Sequence, residues 1–261
     1  MFFLFIFIFG LSVGSFLNVV ICRLKTKETI LFNRSYCPKC RAVLKWYDLI
    51  PVLSFLLQKG RCRYCNAKIS WQYPIVEIST GLLFLLIFNL QFTPFDFTQG
   101  KIFNLIYYFI IVSFLIIIFV YDLKHYIILD RIIYPGIIIS LLYLLAAAAY
   151  DSLFSYFLSA FIASGFFLAL VLVSEGKWMG LGDVKLSFLM GLILGWPNIL
   201  FALFLSFLSG AVIGIGLIIF GKKGFKSQIP FGPFLAGSTI LVMFSTLYLN
   251  NLIQNLFFFI L

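Results

Sequence analysis

Charge is what this sequence lacks most. Only 11% of its 261 residues are charged and 63% are hydrophobic, with a mean hydropathy of +1.11. A soluble domain carries about 25% charged residues, so a water-soluble fold is excluded and the bilayer becomes the solvent to reason in. Acids are scarcest: nine, against 19 lysines and arginines. Histidine occurs once, at His125, where it reads as a solvated loop residue rather than a ligand or base. No basic residue precedes the first apolar run, Met1 to Cys22. A cleaved signal peptide needs a positive n-region and a small-residue cleavage site, so this run reads as an uncleaved anchor with its N-terminus outside. Internal repeats and low-complexity tracts are also missing, apart from heavy use of Phe and Ile.

What is present is a series of long apolar runs. Residues 1–22, 74–91, 102–121, 132–150, 153–174, 199–220 and 231–258 reach the roughly 17–25 residues that a spanning helix needs. Residues 184–195 are apolar but short. The expected fold is all-α, a polytopic transmembrane bundle of about eight segments with one small extramembrane loop domain. With residue 1 outside and all eight segments crossing, loops 23–73, 122–131, 175–185 and 221–230 lie inside and hold 18 of the 19 basic residues. That is the positive-inside pattern. Dropping 184–195 would put Lys222, Lys223 and Lys226 outside. The net charge of +10 therefore reflects topology and not a nucleic-acid patch. The organisation expected is an anchor at 1–22, a cytoplasmic cysteine loop at 23–73 and a membrane domain at 74–261.

The loop holds CPKC (Cys37, Cys40) and CRYC (Cys62, Cys65). Two such knuckles supply the four thiolates of a structural zinc site, and the basic neighbours Lys39, Arg41, Arg61 and Arg63 favour thiolates. The alternative is two disulfides, which rarely persist in the cytoplasm. A loop of this size builds little core, so a metal staple is expected. Cys22 reads as a small interfacial residue.

Each acid has an ordinary reading. Glu28 and Asp48 look solvated in the basic loop, and Asp96 and Asp151 look like outer-loop charges. Glu77, shortly after Pro74, complements a helix dipole or supports a nearby site. Glu175 sits beside Lys177. Asp130 pairs with Arg131 or caps the next helix, and Asp183 in GLGDVK caps the segment from Val184. Asp122 ends an apolar run. Together, Asp122 and Asp183 fall on one face, each at a helix end. Two carboxyls meeting in a partly dehydrated cleft share one proton, which suits them to activate water and protonate a leaving amine. Gly180 and Gly182 would let a substrate backbone approach Asp183. A transporter with intramembrane acids and a non-catalytic zinc-stapled scaffold are the rival readings.

Several stretches together resemble the type IV prepilin peptidases, membrane aspartic proteases with a Gly-x-Gly-Asp motif. GSFLNVVICRL (14–24) is similar to their N-terminal signature. CPKC, WYDLIPVLSFLLQKGRCRYC (46–65) and ISWQYPIVE (69–77) are similar to their zinc-bearing loop. YDLKHYIILD (121–130) and GLGDVK (180–185) resemble the two aspartate motifs, and IPFGPFLAG (229–237) the entry to the last helix. The chain has Leu129 where the family often has Pro, and Gln72 where it often has Arg. The resemblance implies catalysis by Asp122 and Asp183 at the cytoplasmic face of a bacterial inner membrane. It implies removal of the short basic leader of prepilins and pseudopilins after a glycine. It also implies N-methylation of the new terminus with S-adenosylmethionine. Nothing in the sequence itself, such as a glycine-rich nucleotide loop after a strand, points to methyl transfer.

Overall fold

Seven helices among the described residues are long and apolar enough to cross a membrane. The computed structural model describes residues 2–26, 34–91, 99–147, 150–220 and 229–260. Glu28, Asp96, Lys222, Lys223 and Lys226 lie outside them. The described residues are helical apart from short connections and the largely irregular cysteine loop, which holds two isolated β-bridges. The chain divides into two units, Met1–Asp96 and Phe97–Leu261.

The first unit comprises α1 (Phe2–Thr26), α2 (Leu53–Leu57) and α3 (Gln72–Gln91), with the cysteine loop between α1 and α3. Helices α1 and α3 run antiparallel, so that Gly10 meets Gly81 and Asn18 meets Tyr73. Lipid offers no hydrophobic drive for helices to associate, and small residues at the crossing let dispersion do the work. Gly10 and Gly14 supply that crossing. A Cβ on Gly10 would lie 2.7 Å from Gly81 Cα, and one on Gly14 would lie 2.7 Å from Glu77 Cα. Nearer the loop the pairing becomes polar. The Asn18 amide donates to the Tyr73 carbonyl (3.1 Å), and the Gln72 amide donates to Asn18 Oδ1 (3.0 Å).

The second unit comprises α4 (Gln99–His125), α5 (Asp130–Ala147), α6 (Tyr150–Val173), α7 (Leu181–Leu194), α8 (Asn198–Ile219) and α9 (Gly232–Ile260). Asp151, expected in a loop, lies in the first turn of α6. The short helix α7 is the middle of this unit and packs against α5, α6, α8 and α9. Leu186, Leu189, Met190 and Leu192 are fully buried. A helix apolar all round belongs inside a bundle. Its 14 residues span only about 21 Å, less than the roughly 30 Å of hydrocarbon. Neighbouring helices surround it, so its ends have no need to reach water by length alone. Gly191 permits contact with α6: a Cβ there would overlap the Ala160 backbone, and Ser159 donates to the Gly191 carbonyl (2.8 Å). Tyr107 stacks on Tyr143 at 3.6 Å, joining α4 to α5.

Candidate active site

Asp122 occupies the last turn of α4. The helix ends at His125, and Tyr126, at φ +57°, closes it with an N–H bond to the Asp122 carbonyl (2.9 Å). The Asp122 carboxylate is buried, and its Oδ2 accepts the N–H of Gly232 at 3.0 Å. Gly232 is the first residue of α9, where free N–H groups and the positive end of the helix dipole point out of the helix. A larger residue there would displace the Asp122 carboxylate. A Cβ would lie 2.6 Å from Asp122 Oδ2 and 3.1 Å from Ile128 Cδ1. Pro233 follows at a position where a missing N–H leaves no bond unmade.

Asp183 is not the N-cap of α7. Gly180 is, with an extended backbone (φ −91°, ψ 159°), and Asp183 is the third helical residue. Its carboxylate reaches back to the Gly180 N–H at 3.3 Å, which is the returning half of a capping box. Asp183 is buried too. Ile128 joins the two acids. A Cβ on Gly182 would lie 2.9 Å from Ile128 Cβ, and the same side chain abuts Gly232. The space beside Gly182 is therefore taken by Ile128, whereas a Cβ on Gly180 would have no neighbour nearer than 3.9 Å. Asp122, through its partner Gly232, and Asp183, through its neighbour Gly182, thus both stand next to Ile128.

Asp130 neither pairs with Arg131 nor precedes its helix. It is the first residue of α5, and it accepts Lys185 Nζ at 2.6 Å. That ammonium also sits 5.3 Å from the Tyr134 ring centroid. The pair ties the start of α5 to the start of α7, two residues past Asp183. Glu175 and Lys177 form an exposed pair at 2.8 Å, as their adjacency suggested.

In the first unit, Glu77 lies beyond the first turn of α3, so the dipole account does not hold. It is 6% exposed, and its carboxylate accepts the N–H of Val52 at 2.8 Å beside the Ser15 hydroxyl. Val52 is a β-branched residue at φ +60°, a costly conformation that the surroundings must hold. Asp48, expected in solvent, is buried as well. It accepts the Lys45 N–H (3.2 Å), Gln58 Nε2 (3.1 Å), the Tyr64 hydroxyl (3.2 Å) and Arg63 Nε (3.1 Å). Lys45 is three residues away, but Gln58 lies ten later and Arg63 and Tyr64 lie within the second knuckle, out of reach of a local pattern.

The knuckles repeat one geometry. Cys37 and Cys62 each donate a backbone N–H five residues ahead, to Ala42 and Ala67, and Arg41 and Asn66 adopt positive φ. The Sγ atoms of Cys37, Cys40, Cys62 and Cys65 all lie within 4.8 Å of one another, and Cys37 Sγ is 3.9 Å from Cys65 Sγ. A tetrahedron with Zn–S of about 2.3 Å has edges of about 3.8 Å, so the donor set fits that ion. All four are free thiols, not disulfides. Burial opposes ionisation of Cys37, but the N–H groups of Cys40 and Lys39 and the thiols of Cys40 and Cys62 bring it down to about 7. The Ala67 N–H favours a Cys65 thiolate, yet burial and the thiols of Cys40, Cys62 and Cys37 push it up to about 11. A central cation would favour the thiolate form of the set. Cys22 stands apart, exposed, with its Sγ 3.4 Å from the Tyr73 hydroxyl.

The residues that sequence reasoning left out are Gly232, Ile128, Asp48 and Lys185. For Gly232 a signal existed: Gly-Pro at a helix entry marks a backbone position that something approaches closely.

Two family models match the chain: the bacterial peptidase A24 N-terminal domain over residues 8–91, and the type IV leader peptidase family over residues 109–215. A prepilin leader peptidase/N-methyltransferase of Bacillus subtilis (strain 168) is 36% identical over 238 residues, covering 90% of this chain and 91% of that protein. Proteins of the same description from Myxococcus xanthus (strain DK1622) and Vibrio cholerae serotype O1 are 34% and 33% identical. They cover 87% and 91% of this chain, and the chain covers 67% and 94% of them. No solved structure matches. Helices, buried acids and sequence agree on one conclusion, that this chain belongs to the type IV leader peptidase family.

Proposed function

We propose that this protein is a membrane aspartic endopeptidase that removes the short basic leader of type IV prepilins or pseudopilins after a glycine. The observation that carries the reading is the buried pair Asp122 and Asp183. Among the described residues each holds a single backbone N–H, and Ile128 stands between the glycines beside them, in a member of this family. In the mechanism the pair shares one proton. The ionised carboxylate takes a proton from water, whose oxygen attacks the scissile carbonyl carbon. The protonated carboxyl donates to the oxyanion, and the amine leaves with a proton as the C–N bond breaks. The proton belongs to the pair rather than to either residue. Gly180 leaves the approach to Asp183 open, and the Asp130–Lys185 pair supports the helix that carries it. A carrier reading wants acids near mid-helix, whereas these stand at helix ends.

Residues 74–261 hold the protease chemistry, 1–22 anchor the chain and 23–73 form the metal module. Cys37, Cys40, Cys62 and Cys65 would hold zinc, which would staple the fold of the module. The membrane is the bacterial inner membrane, with residue 1 outside and both the module and the dyad on the cytoplasmic side. The new N-terminal amine is methylated by the same chain, with S-adenosylmethionine as donor. A cavity of about 260 Å³ beside Ser12, Ser15, Ser35 and Leu49 does not fit that donor, since small-molecule sites run to about 300–1,000 Å³ and its lining carries no charged side chain. Co-expression with a prepilin and mass measurement of the product tests both activities. Loss of the leader with an added methyl group is expected, and an intact leader refutes the peptidase.

A further inference from the structure

The cysteine module exposes the wrong face for a domain in water. On α2, Leu53, Leu56 and Leu57 are 58%, 60% and 80% exposed, whereas Phe55 between them is buried against Trp71 at 5.0 Å. Trp71 is itself 68% exposed. An exposed apolar patch of this kind on an otherwise polar loop marks a surface that another phase or molecule covers.

The position of α2 says which. Val52, its N-cap, is bonded to Glu77, which lies five residues and about 7.5 Å along α3 from Gln72. Leu49 and Pro51 close a cavity together with Ser12, Ser15 and Phe16, all inside the apolar span Phe2–Leu24 of α1. The segment therefore lies beside turns of α1 and α3 that are themselves within their spans. Most of its backbone N–H groups are paired within the chain, as hydrocarbon favours. The N–H groups of Leu53, Ser54, Leu56, Gln58 and Gly60 all find carbonyls within residues 50–55. Pro51 has none to offer. The N–H of Val52, which no turn takes, is accepted by a buried glutamate from the membrane helix.

We propose that residues 49–57 are an interfacial element that lies in the headgroup and upper acyl region of the bilayer spanned by α1 and α3. The exposed leucines face acyl chains, and Trp71 sits at the boundary, where indoles accumulate. Lys59 and Arg61, both exposed, follow at the headgroup level. The metal module is then moored to the membrane rather than tethered above it. This assignment stands apart from the peptidase reading, and its test needs no activity.

The experiment uses the full chain in phosphatidylethanolamine/phosphatidylglycerol vesicles with brominated acyl chains, in a background where Trp46, Trp71, Trp178 and Trp196 are Phe. A single reporter is placed by Leu57→Trp. Leu86→Trp on the exposed side of α3 serves as the lipid standard, and Lys39→Trp at the first knuckle as the water standard. Restoring native Trp71 alone gives a second reporter with no new residue. The expected result is bromolipid quenching of Leu57→Trp within about twofold of the Leu86→Trp value, with iodide quenching well below that of Lys39→Trp. Iodide access equal to that of Lys39→Trp overturns the proposal. So does shielding that develops only when a prepilin is added, which assigns the patch to substrate. Shielding that rises only with protein-to-lipid ratio assigns it to a second copy and overturns it equally.

Discussion

Asp48 and the Asp122/Asp183 pair are buried to similar degrees, yet their surroundings differ in kind. Asp48 is saturated, with four donors that include the Arg63 guanidinium. Asp122 and Asp183 have one backbone N–H apiece. A carboxylate oxygen offers about two acceptor sites, so Asp48 has spent its capacity on holding the module together. The other two keep capacity for a water or a substrate. Degree of satisfaction, rather than burial, separates Asp48 from the pair proposed to be catalytic.

The contrast breaks first at the pair. Asp122→Asn and Asp183→Asn should each lower leader cleavage by at least about 10²–10⁴-fold, the usual contribution of an acid–base group, while the protein inserts and keeps its helicity. Processing within tenfold of the parent in either variant, measured with purified prepilin, removes the dyad. Asp48→Ala should do the reverse. It leaves the Lys45 N–H, Gln58 and Tyr64 donors without their partner, at a cost of about 1–3 kcal/mol, while the half-exposed Arg63 turns to water. The module should lose metal and become sensitive to protease while the α4–α9 unit stays folded. Metal content and limited proteolysis read this out, and retention of full metal would show Asp48 to be incidental.

Gly232→Ala sharpens the comparison without changing any ionisable group. The new methyl would press on Asp122 Oδ2 from 2.6 Å. Displacing a reacting group by about 1 Å costs on the order of 10²-fold, so cleavage should fall by about that factor with little change in thermal stability. Metal loading should respond to acid. Cys65, at about 11, carries its proton at neutral pH, and Cys37, at about 7, gains one as pH falls. Bound metal must expel these protons, so the apparent affinity should drop as pH is lowered, steepening below about 7, and Cys37→Ser with Cys40→Ser should abolish binding. Zinc titration with an indicator across pH measures both. The smallest effect is expected from Lys185→Met. Its pair with Asp130 is partly solvated, and such pairs contribute about 0–1 kcal/mol. Activity should stay within about fivefold, and a larger loss would move Lys185 into the catalytic group.

The helices were legible because seven apolar runs of spanning length leave little freedom in a bilayer, and the knuckles because metal geometry fixes Cys-x-x-Cys spacing. Asp122 and Asp183 stood out through their placement at the ends of apolar runs. The supporting contacts were hidden for a common reason. The partner of Glu77 lies 25 residues earlier, that of Asp130 lies 55 later, and that of Asp122 lies 110 later. A local reading assigns such acids to dipoles, neighbours or water. Gly182 misled in the same way, since its open side faces Ile128 from another element. The burial of α7 was also out of view, because length argued for a doubtful span and only its neighbours explain why 14 residues suffice.

The bond between Gly232 and Asp122 also has a consequence in time. Ribosomes make α4 long before α9, so the nascent chain carries Asp122 through more than a hundred further residues without its N–H partner. Any growing chain that ends short of residue 232 lacks this contact to Asp122. On the proposed mechanism, proteolytic competence then arrives with the entry of α9.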